Sequence, residues 1–140
     1  MIQRDNIKAK LMKKYKLMII EDEEGVRDLI ETTIKDALNF PVELTMFDNG
    51  EDALAESLKN KYDLVITDFK LPGLNGLEYI DELRKSPENK SIPIIFISGF
   101  FTDLAVTPNA GNSDSVVFMD KPFNVEKLAR KVKLMLRTSK

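Results

Sequence analysis

Short apolar runs alternate with amphipathic helical segments along most of the chain, and this alternation constrains the fold more than any other feature. The run at 94–97 is almost purely apolar, and the run at 64–67 is followed by apolar residues at helical spacing. Five repeats of strand and helix require right-handed crossovers and a parallel sheet covered by helices on both faces. With 140 residues, the chain is predicted to form one α/β domain.

The boundaries of most elements follow from the same pattern. Asp48 followed by Glu51 resembles a capping box, which favours a helix over 50–59, and Asn124 is a reasonable N-cap for the last helix. Between 100 and 115 the residues are poor helix formers, so a loop or an irregular helix is expected there. The predicted strands cover 16–21, 42–46, 64–67, 94–97 and 115–119, and the other predicted helices cover 26–38, 77–86 and 125–136.

Acidic side chains stand where two of the predicted strands end. Asp68 follows the run at 64–67, while Glu21 and Asp22 follow the first strand. An aspartate that ends a strand and enters a turn is common, but three carboxylates at one sheet edge repel one another by about 1 kcal/mol per pair even in water. A fold retains such a cluster when it binds a cation. The sequence therefore predicts a cation site at the carboxyl edge of the sheet.

The residues that are absent limit the chemistry. The chain contains no Cys and no His, which excludes a disulfide, a thiolate zinc site, an imidazole base and a phosphohistidine of its own. No apolar run approaches the roughly 20 residues that a membrane span needs, and no secretory signal is recognisable. A cytoplasmic protein without a membrane partner is expected.

Charge is distributed unevenly. The net charge is −2, yet residues 1–16 and 125–140 each carry +5. Residues 1–15 are predicted to form a basic extension, either a solvated tail or a short helix. Docking of this basic tail on a partner is a further hypothesis. No recognition helix, zinc motif or aromatic RNA-binding motif accompanies the charge, so direct nucleic acid binding is not expected.

Taken in order, the motifs resemble the receiver domain of two-component response regulators, including chemotaxis-type single-domain regulators. The resemblance covers about 16–138. It implies a flavodoxin-like (βα)5 fold with strand order 2-1-3-4-5, a fourth helix that is short or irregular, and a receiver domain over 16–140. The motifs that carry it are Glu21 with Asp22, Asp68, Pro72, Gly76, Ser98 and Lys121 with Pro122.

The resemblance also implies a role for each residue of the acidic cluster. Asp68 is expected to accept a phosphoryl group as a mixed anhydride. Asp22, Asp68 and the backbone carbonyl of Lys70 would bind Mg²⁺ directly, and Glu21 would hold it through water. Lys121 would pair with Asp68 or with the phosphoryl oxygens, and a cis bond to the following proline would aim its ammonium group at the cluster.

A switch is implied by two further residues. Ser98 would donate its hydroxyl to a phosphoryl oxygen, and Phe118 would then turn inward. Plain core packing is an equally good interpretation of Phe118. Phe100 is expected to shield the acyl phosphate and slow self-dephosphorylation. Because breakers interrupt the 100–115 segment near the usual output face, a homodimer and other binding modes are left open.

The function implied is that of a signalling module rather than an enzyme acting on a separate substrate. Phosphate would come from a sensor histidine kinase or a histidine phosphotransfer protein, and the signal would pass to a downstream protein in trans unless the chain is a fragment. A phosphorelay shuttle and a pseudo-receiver that binds partners without phosphorylation are the alternatives. A haloacid dehalogenase-type phosphatase is excluded because Lys70 stands where a second Asp is needed.

Overall fold

A parallel five-stranded sheet forms the centre of the structure, a computed structural model that describes residues 13–99 and 115–138. The strand order is β2-β1-β3-β4-β5, which confirms the predicted flavodoxin-like topology. The sheet places the carboxyl ends of β1 and β3 side by side. The strands are β1 (Tyr15–Ile20), β2 (Val42–Phe47), β3 (Leu64–Asp68), β4 (Ile94–Ser98) and β5 (Val116–Asp120).

Four α-helices occur in the described ranges, together with a short 3-10 helix at Pro87–Asn89. None of these helices combines the length and the apolarity that crossing a bilayer requires. The irregular helix predicted between β4 and β5 falls at 100–114, outside the described residues, as does most of the basic extension. The helices are α1 (Glu24–Ala37), α2 (Gly50–Lys59), α3 (Gly76–Leu83) and α4 (Val125–Thr138).

Two hydrophobic clusters lie on opposite faces of the sheet. Successive side chains of a strand point to opposite faces, so Leu17 and Ile19 of β1 pack beneath α1 and α4. Met18 and Ile20 pack beneath α2 and α3. All five residues of β3 are buried because helices cover the sheet on both sides. This central position fixes the end of β3, where Asp68 lies.

The start of α2 differs from the prediction. Asn49, not Asp48, is the N-cap, and its side chain accepts a hydrogen bond from the Asp52 N–H at 2.8 Å. The helix begins at Gly50, so the residue directly before it occupies the extended capping position. The predicted pairing of Asp48 with Glu51 is therefore wrong, and Glu51 is left to bind elsewhere.

The helix that follows β3 begins with a capping box and ends earlier than predicted. Asn75 and Glu78 exchange side-chain to backbone hydrogen bonds at its start. The helix ends at Leu83 rather than at 86. Ser86 has an extended backbone, with φ −81° and ψ 123°, because a residue before proline is disfavoured in helical conformation.

A buried hydroxyl pair between α2 and α3 leads to a prediction on stability. The hydroxyls of Ser57 and Tyr79 are 2.6 Å apart, and Ser57 also donates to the Ala53 carbonyl at 2.7 Å. We expect Ser57→Ala to lower the free energy of unfolding by about 2 kcal/mol, because the buried Tyr79 hydroxyl loses its acceptor. Tyr79→Phe leaves Ser57 satisfied and should cost about 1 kcal/mol. Urea denaturation of both variants checks the order, which equal losses would contradict.

Candidate metal centre at the carboxyl edge of the sheet

Three carboxylates converge where β1 and β3 end. One oxygen from each of Glu21, Asp22 and Asp68 lies within 4.8 Å of the others. Asp68 is 6% exposed and Glu21 only 1%, whereas Asp22 is exposed. Side-by-side pairing of β1 with β3 produces this convergence, because Ile20 and Thr67 are register partners. The three acids selected from the sequence thus share one location.

Lys121 supplies the positive charge that faces these acids. Its Nζ lies 2.7 Å from Oδ2 of Asp68, 3.1 Å from Oε1 of Glu21 and 3.5 Å from Oε1 of Glu23. The Lys121–Pro122 peptide bond is cis. Partial burial acts to lower the pKa of Lys121, but its close contacts with the carboxylates of Asp68 and Glu21 and their negative charges outweigh it and raise the pKa above its usual range. Lys121 is therefore a firmly protonated cation at this edge.

The carboxyl group of Glu21 is buried beside the carboxylate of Asp68, which disfavours its charged form. Burial and the charge of Asp68 raise the pKa of its carboxyl, the Glu23 N–H and Lys121 act to lower it, and the net result is a pKa of about 7. Its Oε2 accepts a hydrogen bond from the Glu23 N–H at 3.0 Å. Within the described part of the chain, its Oε1 is buried without a hydrogen bond; the 3.1 Å approach of Lys121 is an ion pair that lacks hydrogen-bond geometry. One oxygen thus remains available to a further positive partner.

The donor set fits a hard divalent cation. All the candidate ligands are oxygens, as Mg²⁺ prefers, and one of them is the buried oxygen of Glu21 that lacks a hydrogen bond. Among the described ion pairs, one ammonium group faces three carboxylates, so negative charge within the cluster exceeds the positive charge that these pairs supply. A divalent ion that keeps several waters would offset that charge. The residues present therefore fit Mg²⁺.

The loop after β3 shapes one wall of the site. The Lys70 N–H donates to Oδ1 of Asp68 at 3.0 Å, so the backbone fixes the orientation of this carboxylate. Asp68, Lys70, Ser98 and Lys121 line a cleft of about 450 Å³. The cleft is large enough to admit a phosphoryl group beside the acids. Lys70 thus lies beside Asp68 at the cleft, while the role of its carbonyl as a metal ligand stays a prediction.

Ser98 and Phe118 occupy neighbouring strands. Ser98 ends β4, is 1% exposed and accepts a backbone hydrogen bond from Lys121 at 3.0 Å. Phe118 in β5 is half-buried and stacks on Phe96, with ring centroids 5.3 Å apart. This contact agrees with the core-packing interpretation of Phe118, while its role in a switch stays a prediction. Phe100 lies outside the described residues.

Two residues at the site were not selected from the sequence. Glu23 lines the cleft and is the third carboxylate near Lys121. Arg27 of α1 donates from Nη1 to the carbonyl oxygen of Glu21 at 2.8 Å and so holds the turn after β1. Glu23 directly follows Glu21 and Asp22 in the sequence, and this position could have identified it as a residue of the site. Arg27 has no comparable sequence signal because its contact depends on how α1 packs.

The fold and the site together define a class of protein. A doubly wound parallel sheet with this strand order, an acidic triad at its carboxyl edge and a lysine facing the central aspartate are the features of a receiver-type domain. The family model of the response regulator receiver domain matches residues 17–133. The chain belongs to this family, which confirms the resemblance inferred from its motifs.

Individual relatives agree with this assignment. The response regulator ArlR of Staphylococcus saprophyticus is 33% identical over 124 residues, covering 87% of this chain and 52% of that protein. A Chloroflexus aurantiacus J-10-fl structure assigned as a response regulator matches with a TM-score of 0.77 and 28% identity, covering 89% of this chain and 99% of that one. The fold is shared with the chemotaxis response regulator CheY4 of Vibrio cholerae, which is 24% identical. That match has a TM-score of 0.72 and covers 88% of this chain and 99% of the other. The chain spans about half the length of the curated ArlR relative.

Proposed function

We propose that this protein is a phospho-accepting receiver domain in which Asp68 takes a phosphoryl group with the help of Mg²⁺. The observation that carries the proposal is the meeting of three carboxylates with Lys121 at the edge of a cleft. Membership of the receiver family supports a two-component role. Glu21, Asp22, Asp68 and the Lys70 carbonyl would hold the ion, which would offset negative charge on the acids and on the incoming phosphoryl group.

Asp68 is the nucleophile in this proposal. One of its carboxylate oxygens attacks phosphorus, a P–O bond forms, and the P–N bond of the donor phosphohistidine breaks with its electron pair going to the imidazole nitrogen. The Lys70 N–H holds Oδ1 of Asp68 at 3.0 Å and so limits the orientations that the carboxylate can adopt. A phosphohistidine donor must belong to another protein because the chain contains no His.

Lys121 has a different task before and after transfer. In the structure it neutralises Asp68 at 2.7 Å. Once Asp68 carries a phosphoryl group, the ammonium group would follow the new negative oxygens, since charge-assisted contacts to phosphate are strong. Ser98 lines the same cleft and would donate its hydroxyl to another of these oxygens. Movement of Ser98 and repacking of Phe118 would then change a protein-binding face.

The partners proposed follow from this chemistry. A sensor histidine kinase or a histidine phosphotransfer protein would donate the phosphoryl group, and a downstream protein would read the changed face in trans. The chain would act only on its own aspartate, so it is not an enzyme with a separate substrate. We place it in the cytoplasm, where these donors present their phosphohistidines.

The proposal is tested by treating the protein with acetyl phosphate with and without Mg²⁺ and measuring its intact mass. We expect one phosphoryl adduct that depends on Mg²⁺ and is absent from Asp68→Asn, because the amide cannot act as the nucleophile. Asp48→Asn is the matched control, since Asp48 also follows a strand but lies outside the acidic cluster. An adduct on Asp68→Asn equal to that on the native chain would refute the proposal, as would no adduct on the native chain.

A further inference from the structure

The first turn of α2 touches the loop that follows Asp68. This loop, residues 69–75 between β3 and α3, is here called the phosphoacceptor loop. Oε2 of Glu51 accepts a hydrogen bond from the Leu74 N–H at 2.8 Å. The two residues are 23 positions apart in the chain, so the contact joins separate elements. It ties the outer half of the phosphoacceptor loop to a helix that covers the sheet.

Glycines on both sides of this contact leave room for it. A Cβ at Gly50 would overlap the carbonyl oxygen of Leu74, and a Cβ at Gly73 would overlap Oε2 of Glu51. Gly73 also has φ +69°, a left-handed conformation that favours glycine. Glycine is therefore required on the helix and on the loop for the Glu51 carboxylate to reach Leu74. Such matched glycines indicate a formed contact rather than a chance encounter of two surface groups.

The inner part of the phosphoacceptor loop is fixed by different contacts. The Phe69 N–H donates to the Ile97 carbonyl of β4 at 3.1 Å, and the Gly76 N–H donates to the Phe69 carbonyl at 3.0 Å. Leu71 is 6% exposed and anchors the loop in the core beneath α2 and α3. These contacts position the loop ends and Leu71. Among the described contacts, Glu51 adds the side-chain hydrogen bond that reaches the loop from α2.

Lys70 lies between the fixed inner part of the loop and the point held by Glu51. Its N–H is committed to Asp68, and its carbonyl is the backbone ligand in the proposed magnesium site. A small rotation of the 70–74 backbone would change the direction of this carbonyl relative to the acids. Outer residues that orient metal ligands influence affinity through such rotations.

We propose that Glu51 is a positioning residue for the magnesium site, acting through the Leu74 N–H to hold the phosphoacceptor loop in its ligand-presenting conformation. This inference rests on the proposed function, because it concerns how the same site binds its cation. Glu51 itself does not belong to the acidic cluster formed by Glu21, Asp22 and Asp68. Its effect is conformational, and a variant that preserves a hydrogen-bond acceptor should preserve it.

Three variants separate this effect from simple charge removal. Glu51→Ala removes the acceptor and the charge, whereas Glu51→Gln removes the charge and keeps an oxygen for the Leu74 N–H. Asp52→Ala removes a carboxylate from the same first turn, where both acids face the same helix dipole. Asp52 contacts Asn49 and not the loop. Glu51 and Asp52 are exposed, so all three variants are expected to fold.

The test measures Mg²⁺ affinity by isothermal titration calorimetry and amide hydrogen exchange at Leu74 in metal-free protein. We expect Glu51→Ala to raise the Mg²⁺ dissociation constant about threefold to tenfold. This is a small effect for a residue that orients a metal ligand, because the Glu51 contact is exposed to solvent. Leu74 exchange should accelerate in the same variant. Glu51→Gln and Asp52→Ala should stay within about twofold of the native protein in both measurements.

The outcomes distinguish this inference from the proposed function. Equal weakening of Mg²⁺ binding by Glu51→Ala, Glu51→Gln and Asp52→Ala would show a charge effect and overturn the inference, while the native protein would still be phosphorylated on Asp68. Unchanged Leu74 exchange in Glu51→Ala would also overturn it. If the native protein bound no Mg²⁺, the proposed function would fail, even with the Leu74 contact confirmed by exchange.

Discussion

Replacing Lys121 with methionine will lower the free energy of unfolding of the metal-free protein by about 3 kcal/mol near pH 8. Lys121 faces Glu21 and Asp68, which are 1% and 6% exposed. Removing one partner of a buried ion pair leaves the remaining charge without compensation, and the desolvation cost of that charge is then paid in full. Here two carboxylates lose the same partner. Urea denaturation in the presence of a chelator measures the loss.

The loss will depend on pH through Glu21. The pKa of Glu21 is raised from 4.5 to about 7 by burial even beside Lys121. A raised folded-state pKa means that the stability due to protonated Glu21 is complete below about 4.5 and is lost as pH rises through about 7. Without Lys121 this pKa rises further, so the variant continues to lose stability at higher pH. The gap between the native protein and the variant should therefore be larger near pH 8 than near pH 5.

Two further variants show whether the acids cause this loss. Lys127→Met removes an exposed lysine of α4 and should change stability by no more than about 0.5 kcal/mol. In a Glu21→Gln background, Lys121→Met should cost less than in the native chain, because one of the two acids is already neutral. A loss that is the same near pH 5 and pH 8, or the same in both backgrounds, would contradict the electrostatic explanation.

The fold and the acidic cluster could be predicted from the sequence because both follow from local patterns. The four consecutive buried residues at the end of β1 and the all-buried β3 produce distinct apolar runs, and parallel strands bring their carboxyl ends to one edge. Asp68 and the acids after β1 therefore meet without any need to know side-chain conformations. The family resemblance added the lysine and serine, which no periodicity could select.

Contacts between distant elements could not be predicted in this way. Glu51 fits a capping pattern in the sequence, yet in the structure it binds Leu74, because Gly50 lets α2 approach the Leu74 backbone and Gly73 leaves room for the Glu51 carboxylate. Phe118 suits either core packing or a switch on sequence alone, and its stacking on Phe96 is visible only once β4 and β5 are paired. Such choices depend on three-dimensional proximity rather than on spacing along the chain.

Substitution of Gly76 is expected to have a second large effect on the free energy of unfolding, because the start of α3 crosses the backbone that carries Asp68. A Cβ at this position would overlap the Asp68 carbonyl oxygen and lie 3.1 Å from the Cα of Phe69. Alanine is favoured over glycine by about 1 kcal/mol in a helix interior, but overpacking against a rigid backbone costs about 1 to 3 kcal/mol. The clash involves backbone on both sides and cannot be relieved by a side-chain rotation. We therefore expect Gly76→Ala to destabilise the protein by about 2 kcal/mol.

Gly25 of α1 is the matched control for this substitution, because a Cβ there would meet no atom within 4 Å. Gly25→Ala should leave stability unchanged or raise it by up to about 1 kcal/mol through helix propensity alone. The same chemical change is thus expected to have opposite signs at the starts of two helices, and urea denaturation of both variants resolves the difference. Since relief of the clash shifts the start of α3 relative to the backbone of Asp68 and Phe69, Gly76→Ala should also slow labelling by acetyl phosphate, whereas Gly25→Ala should not. Equal stability of the two variants would mean that α3 can move away from the end of β3 at little cost, and the close contact would then not be what fixes the position of Asp68.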